Sequence, residues 1–158
     1  METCKPIGTS MVTGHKLSNK DETPTIEQKK YRSMIGGLQY LTHTRPDIEN
    51  AVGIVARFQA DPKEYHYAAM KRIFKYLKGT SDYGIWYDRD NDFTLCTYTD
   101  VDWVGSVDDR KSTSGGAFFL GGRLVSWLSK KQDCISQNII EVEYVAIANN
   151  CNQVIWMK

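Results

Sequence analysis

The sequence predicts an α+β fold in which a helical N-terminal part precedes a group of strands and one terminal helix. Within residues 26–80 three segments place apolar residues at helical spacing, and beyond Gly79 the spacing changes to two. Helical spacing returns after residue 138. Helices and strands in separate blocks are typical of the α+β class. The chain has 158 residues, 41% of them hydrophobic, which is enough for one modest core or two small subdomains.

The first 25 residues predict an extended, partly ordered arm, because proline and glycine are scattered among polar residues without an apolar period. A first helix is predicted from Glu27, although Gly36 and Gly37 weaken its middle. Its apolar positions are Tyr31, Met34, Ile35, Leu38 and Leu41.

Two further helices are predicted before residue 80. Pro46 suits a first helical position, and the second apolar stripe ends near Phe58, before the break at Asp61 and Pro62. The third helix ends at Gly79. Its apolar face consists of Tyr65, Ala69, Ile73, Tyr76 and Leu77.

The region after Gly79 predicts strands and then a helix. The segments 83–87 and 93–101 alternate aromatic and β-branched residues around the polar turn 88–92, which predicts a hairpin. Strands at 116–120 and 124–128 are joined by a turn in which Gly121 and Gly122 can take positive φ. The last helix, residues 139–158, is predicted from a stripe of Ile140, Tyr144, Ile147, Cys151 and Ile155.

Charge and composition limit the possible functions. The 20 basic and 19 acidic residues give a net charge of +1, which argues against nonspecific polyanion binding through overall charge. The four cysteines lack metal-site spacing, and the three histidines have no neighbouring nucleophile, so we assign no catalytic role to them. Neither a secretory signal nor a segment able to cross a bilayer is visible, and a cytoplasmic or nuclear location is the default expectation.

Local basic clusters leave two interpretations open. They can form a track that contacts the backbone of an RNA/DNA hybrid, or they can be a solvated charged face. The residues concerned are Lys71, Arg72, Lys75 and Lys78 in the third helix, and Arg110, Lys111, Lys130 and Lys131 near the sheet.

Carboxylates occur where a Mg²⁺-dependent nuclease would hold its metal. Asp100 and Asp102 end a predicted strand, and Glu141 and Glu143 open the last helix. The simpler alternative is an exposed strand end and a solvated helix face. Asp108 and Asp109 are assigned to a surface turn. A reverse transcriptase holds its polymerase metals with an aromatic-x-Asp-Asp turn, and Ser106 stands here at the aromatic position.

Several segments resemble copia-type retrotransposon Pol polyproteins. The matching segments in the first half are 31–41, 45–48 and 71–80, and those in the second half are 98–105, 109–116, 126–132 and 141–144. The resemblance implies that residues 26–80 are the helical connection that follows the polymerase. It also implies that residues 81–158 are a truncated RNase H-like domain with a mixed sheet.

The resemblance assigns Asp100 and Glu143 as catalytic and metal-binding residues, with Mg²⁺ as the cofactor of an active enzyme. The family's strand with a third carboxylate would follow the last helix, and the sequence stops at Lys158. We therefore expect a vestigial site with little or no nuclease turnover. The strand of Asp100 would become an open edge, available for self-association or a partner chain. At the entrance of the last helix, Asn138 and two isoleucines replace the family's small hydroxyls, so we also expect a lost helix cap.

Two alternatives remain. The enzyme would be active if a partner chain completed the site. Stand-alone chains of this type also resemble secreted RxLR-type effectors, which implies export into plant host cells and suppression of cell death. The sequence contains no Arg-x-Leu-Arg string.

Overall fold

The computed structural model describes residues 4–14, 16–20, 22–89 and 92–158. The chain forms two compact units, Met1–Gly84 and Ile85–Lys158, where the sequence-based division stands at residues 80 and 81. Within the described residues, helices occupy the first unit and a three-stranded sheet with one helix occupies the second. The α+β class is therefore confirmed.

The first unit is built from three α-helices, as the apolar spacing predicts. They are α1 (Gln28–Thr42), α2 (Glu49–Ala56) and α3 (Glu64–Gly79), and a 3-10 turn at Pro46–Ile48 leads into α2. Their apolar faces meet in one core, which buries Tyr31, Ile35, Leu38, Ile48, Val52, Val55, Met70 and Ile73. The Tyr31 hydroxyl donates to the Val55 carbonyl at 2.8 Å, so this buried phenol is paired. Burial also raises the pKa of Tyr31 well above its usual range.

The N-terminal arm lies along α3. Its described residues form no helix, and its only bridge pairs Thr25 with Lys63. Leu17 is buried in the helical core, and a Cβ at Gly79 would lie 2.8 Å from Pro6 Cβ. The described part of the arm is therefore packed against the helical core, and its description as an extended segment stays a prediction.

Arg45 and Asp47 join the start of the second helical segment to the end of α3. The guanidinium makes a two-point contact with the carboxylate, and its Nη1 donates to the Thr80 carbonyl at 2.9 Å. The Tyr76 hydroxyl donates to Asp47 Oδ2 at 2.8 Å. The hydrogen bond from Arg45 is the main reason why the pKa of Asp47 lies below its usual range.

The sheet of the second unit contains β1 (Leu95–Asp102), β2 (Thr113–Leu120) and β3 (Arg123–Lys131), in the order β1-β2-β3. Both pairings are antiparallel, so the expectation of a mixed sheet is wrong. Short connections join these strands, whereas a parallel pair requires a long crossover. Among the described residues β1 is an edge strand, as expected.

The predicted hairpin of 83–87 with 93–101 is wrong. Residues 83–89 form no strand, and β1 pairs with β2 alone within the described residues. Arg123 holds the segment instead, because its Nη1 donates to the Asp88 carbonyl at 3.1 Å and its Nη2 to the Asp92 carbonyl at 2.7 Å. The Tyr87 hydroxyl donates to the Leu124 carbonyl at 2.8 Å. Residues 90 and 91 of the predicted turn lie outside the described residues.

The β2–β3 turn and the last helix form as predicted. Gly121 and Gly122 have φ of 57° and 78°, a conformation that glycine adopts without strain. The helix α4 spans Ile139–Met157. The expected loss of its cap is wrong, because the Asn138 side chain accepts a hydrogen bond from the Glu141 amide at 2.9 Å.

The side of α4 that faces the sheet differs from the stripe that predicts the helix. Its buried residues are Val142, Ala146 and Asn150. The predicted stripe is exposed, with 74% of Tyr144 and 72% of Ile155 accessible. The helix thus has apolar residues on two sides, and the sheet covers one of them.

Candidate functional site

Asp100 lies in β1 on the face of the sheet that α4 does not cover. Side chains alternate between the two faces along a strand, and directly paired residues share a face. In β2, Ser114 faces α4, since Gln132 Nε2 donates both to Ser114 Oγ at 2.9 Å and to the Val142 carbonyl at 3.1 Å. Asp100 pairs with Gly115, the next residue along, and therefore points to the opposite face.

Glu143 lies on α4, one residue after Val142, and is exposed. Since α4 packs on the face of Ser114, Glu143 and the Asp100 carboxylate are on opposite sides of the sheet. Both carboxylates are exposed. Their role as catalytic residues stays a prediction.

The arrangement of these residues does not fit a shared Mg²⁺ ion. Mg²⁺ requires near-octahedral oxygen ligands at about 2.0–2.1 Å, so two carboxylates of one site must converge. No group of three or more histidine, cysteine, aspartate or glutamate side chains suited to a metal occurs among the described residues. Asp102, two residues from Asp100, lies against Gly105 instead. Mg²⁺ as a cofactor stays a prediction tied to an active enzyme.

The predicted basic residues of α3 fall into two groups. Arg72 and Lys78 contact the arm, because Arg72 Nη2 donates to Thr9 Oγ1 at 2.8 Å and Lys78 Nζ donates to the Cys4 carbonyl at 3.0 Å. Lys71 is exposed, with Nζ 4.1 Å from the centre of the Tyr67 ring, and Lys75 is half-buried. Two of the four cations are thus engaged in holding the arm.

The predicted basic residues near the sheet are paired with acids. Lys131 forms an ion pair with Asp109, and Lys130 Nζ lies 3.7 Å from an Asp133 carboxylate oxygen. Burial alone would raise the pKa of Asp109, but hydrogen bonds from Lys131, Ser106 and Lys111 outweigh it and lower the pKa to about 2. Asp109 lies in the predicted surface turn. These ion pairs reduce the positive charge that a phosphate backbone would meet.

Arg110 and Lys111 complete the predicted basic cluster near the sheet. Arg110 is exposed and has a positive φ of 55°. Lys111 Nζ donates to the Asp133 carbonyl at 2.6 Å. Lys111 is therefore engaged in holding the end of β3, and Arg110 faces solvent.

The two histidines that the structure describes make packing and backbone contacts. His66 is fully buried, its ring stacks on Phe58 with centroids 4.0 Å apart, and its Nδ1 accepts from the Lys63 amide at 3.1 Å. His43 Nδ1 lies 3.1 Å from the Gln39 carbonyl at the end of α1. His15 lies outside the described residues.

One feature that sequence reasoning missed is a groove between the arm and α3, which we call the arm groove. It is lined by Ile7, Met11 and Leu17 from the arm and by Tyr65, Arg72 and Lys75 from α3, among others. The sequence contains only an indirect signal, since apolar residues interrupt the polar arm at Ile7, Met11, Val12 and Leu17. They are too irregularly spaced to indicate what they pack against.

No helix in the described part of the chain is long and apolar enough to cross a membrane. No family model and no solved structure matches the chain.

Curated relatives nevertheless match almost all of it. The chain is 39% identical over 157 residues to the retrovirus-related Pol polyprotein from transposon RE2 of Arabidopsis thaliana, which covers 99% of the chain and 11% of that protein. The corresponding polyprotein from transposon RE1 of the same plant is 41% identical, with the same coverage. The chain thus spans about a ninth of these relatives.

A shorter relative matches at similar identity. Secreted RxLR effector protein 161 of Plasmopara viticola is 41% identical over 128 residues, which is 80% of the chain and 90% of that protein. The matches to both polyproteins extend through the helical unit and the sheet unit. The chain belongs to the copia-type retrotransposon Pol polyprotein family.

Proposed function

We propose that the chain is a retrotransposon-derived Pol segment whose helical unit is the connection region and whose sheet unit is RNase H-like. We further propose that it does not cleave RNA/DNA hybrids by itself. The similarity to Pol polyproteins over 99% of the chain supports the origin. The position of Asp100 and Glu143 on opposite faces of the sheet supports the lack of cleavage.

The physical reason is the geometry that hydrolysis of a phosphodiester requires. Metal-assisted cleavage needs converging carboxylates to fix the ions and the attacking water, and a displacement of about 1 Å costs roughly a hundredfold in rate. Carboxylates that extend from opposite faces of a sheet are poorly placed for such convergence. We therefore expect no cleavage above the background of a buffer control.

The test is Mg²⁺-dependent cleavage of a labelled RNA/DNA hybrid by the purified chain, with folding checked by circular dichroism. Asp100→Asn and Glu143→Gln are the matched controls, since each removes one carboxylate charge at nearly constant size. Absence of cleavage by folded protein would support the proposal. Cleavage by the wild type that both variants lose would overturn it, because the two carboxylates would then act together.

A second candidate is an effector-like protein that acts in plant host cells after secretion and suppresses cell death. The observation in its favour is the match that covers 90% of the secreted RxLR effector protein 161. Expression in leaves, followed by a cell-death trigger, tests it. Suppressed cell death would favour this candidate, and unchanged cell death would exclude it. Without such a role, the expected location is cytoplasmic or nuclear.

A third candidate is a ribonuclease H that a partner chain completes. The open edge of β1 favours it, because the outward amide and carbonyl groups of an edge strand can pair with another strand. Self-association through this edge would make specific cleavage activity rise with protein concentration. Specific activity that stays at background across a wide concentration range would exclude completion by a second copy.

A further inference from the structure

The arm groove has a form suited to a small ligand. Its volume is about 240 Å³, and it lies wholly within the first unit. Apolar side chains line most of it, including Ile7 and Met11 from the arm and Ala69 from α3. An apolar cavity of about 150 Å³ is large enough to bind benzene, so this groove has room for a ring and a short polar extension.

Arg72, which lines this groove, has an unpaired buried donor. Its Nη2 donates to Thr9 Oγ1 at 2.8 Å, whereas its Nε is buried and has no hydrogen-bond partner among the described residues. A buried donor that belongs to a charged group and lacks a partner destabilises the folded state. Because Arg72 lines the groove, an acceptor bound there is a candidate partner for this donor.

The positive charges around the groove favour a negatively charged acceptor. Arg72 and the half-buried Lys75 both line it, and no aspartate or glutamate is among the lining residues that the structure describes. Water would satisfy the donor but would leave the two positive charges uncompensated. A carboxylate satisfies both, since charge-assisted hydrogen bonds to a guanidinium are about twice as strong as neutral ones.

We propose that the arm groove binds a small amphiphilic anion, an apolar ring or short alkyl chain that ends in a carboxylate. The apolar body contacts the side chains of the arm, and the carboxylate accepts a hydrogen bond from Arg72 Nε with Lys75 nearby. This site is independent of the carboxylates in the sheet unit. It gives the arm a function as one wall of a binding site.

The test uses 3-phenylpropionate as the probe and 3-phenylpropan-1-ol as its neutral counterpart, titrated into the full-length chain at constant ionic strength near neutral pH. Amide chemical shifts report the binding. We expect saturable shifts in the arm and along α3, with the alcohol binding about tenfold more weakly because it lacks the charge that Arg72 recognises.

Four variants separate recognition of the anion from the integrity of the arm. Arg72→Met should weaken binding of the acid about tenfold while leaving the alcohol unchanged. Thr9→Val breaks the contact between Arg72 and the arm but keeps the guanidinium, so it should bind like the wild type. Lys71→Met removes an exposed neighbouring cation and should also have no effect. Ala68→Trp fills the groove and should abolish binding of both probes.

The proposal fails if the chain shows no saturable shifts, or if the acid and the alcohol bind equally well. It also fails if Arg72→Met and Lys71→Met weaken binding equally, since the effect would then reflect net charge. Equal losses in Arg72→Met and Thr9→Val would assign the effect to detachment of the arm and would likewise overturn it.

Discussion

Asn150 on α4 lies directly over Gly116 in β2, so that a Cβ at Gly116 would overlap the amide oxygen. Both polar atoms of the Asn150 side chain are buried without a hydrogen-bond partner among the described residues. The contact between helix and sheet thus depends on a glycine, and it also contains an unpaired amide. Each property leads to a measurable consequence.

Gly116→Ala should destabilise the sheet unit by about 1–3 kcal/mol, because the new methyl group must displace Asn150 from a packed site. Gly115→Ala is the matched control, since its Cβ would find its nearest neighbour, the Asp100 carbonyl oxygen, at 3.8 Å. It should be neutral or slightly stabilising. Urea unfolding monitored by tryptophan fluorescence gives both values.

The same contact predicts coupling between Gly116 and Asn150. Asn150→Ala should not destabilise the unit, and in its background Gly116→Ala should lose more than half of its cost. Additive effects of the two replacements would contradict the described position of α4.

The link between Arg45 and Asp47 should make stability depend on pH. The folded-state pKa of Asp47 lies below the ordinary value of 3.8, so its stabilising effect is complete above the unfolded-state pKa and is lost as the pH falls through the folded-state pKa. Asp47→Asn should therefore cost about 1–3 kcal/mol near neutral pH and less below pH ~4.

Urea unfolding of the wild type and Asp47→Asn at neutral and acidic pH measures this difference. Asp61→Asn is the control, because Asp61 is largely exposed and its contact with Lys63 is 3.3 Å long. It should change stability by less than about 1 kcal/mol. A cost of Asp47→Asn that stays constant down to acidic pH would show that the ion pair is not its origin.

Asn138 should contribute to the stability of α4 through its cap. Asn138→Ala should cost about 1 kcal/mol, because the Glu141 amide loses its acceptor. Asn152→Ala, at an exposed position inside the same helix, should instead stabilise it by a few tenths of a kcal/mol. If the two replacements have the same sign, the described cap does not act as one.

Binding of an RNA/DNA hybrid, if it is measurable, should depend more on Lys71 than on Lys131. Lys71 is exposed and its ammonium lies over the Tyr67 ring, whereas Lys131 is paired with Asp109. The plot of log affinity against log salt has a negative slope, and Lys71→Ala should make it shallower by about 0.7–0.9, the value for one phosphate contact. Fluorescence anisotropy at several salt concentrations measures it, and a larger effect of Lys131→Ala would favour the opposite order.

The helices and the second hairpin could be predicted because local patterns determine them. Pro46 and Gly79 mark the start of one helical segment and the end of another, and Gly121 and Gly122 provide the positive φ of the β2–β3 turn. The prediction for residues 83–87 is wrong because their aromatic alternation resembles a strand. The partners of segment 83–89 are Arg123 and Leu124, which are distant in sequence.

The site could be predicted only as a set of residue types. Resemblance identifies Asp100 and Glu143. The face on which each residue lies depends on strand register and helix packing, and sequence spacing does not reveal either of these. The same holds for the arm groove. The sequence does not reveal that Arg72 Nε is buried without a partner, because its burial depends on how the arm packs against α3.

The exposed apolar stripe of α4 makes the protein a candidate for recognition by chaperones and proteases in a cell. Chaperones and proteases recognise apolar surface that a folded protein normally hides. A native state that displays Tyr144 and Ile155 on the outside of a helix presents the same signal as a partly unfolded chain. We therefore expect the cellular abundance of the protein to depend on the exposure of this side of α4, in addition to its folding stability.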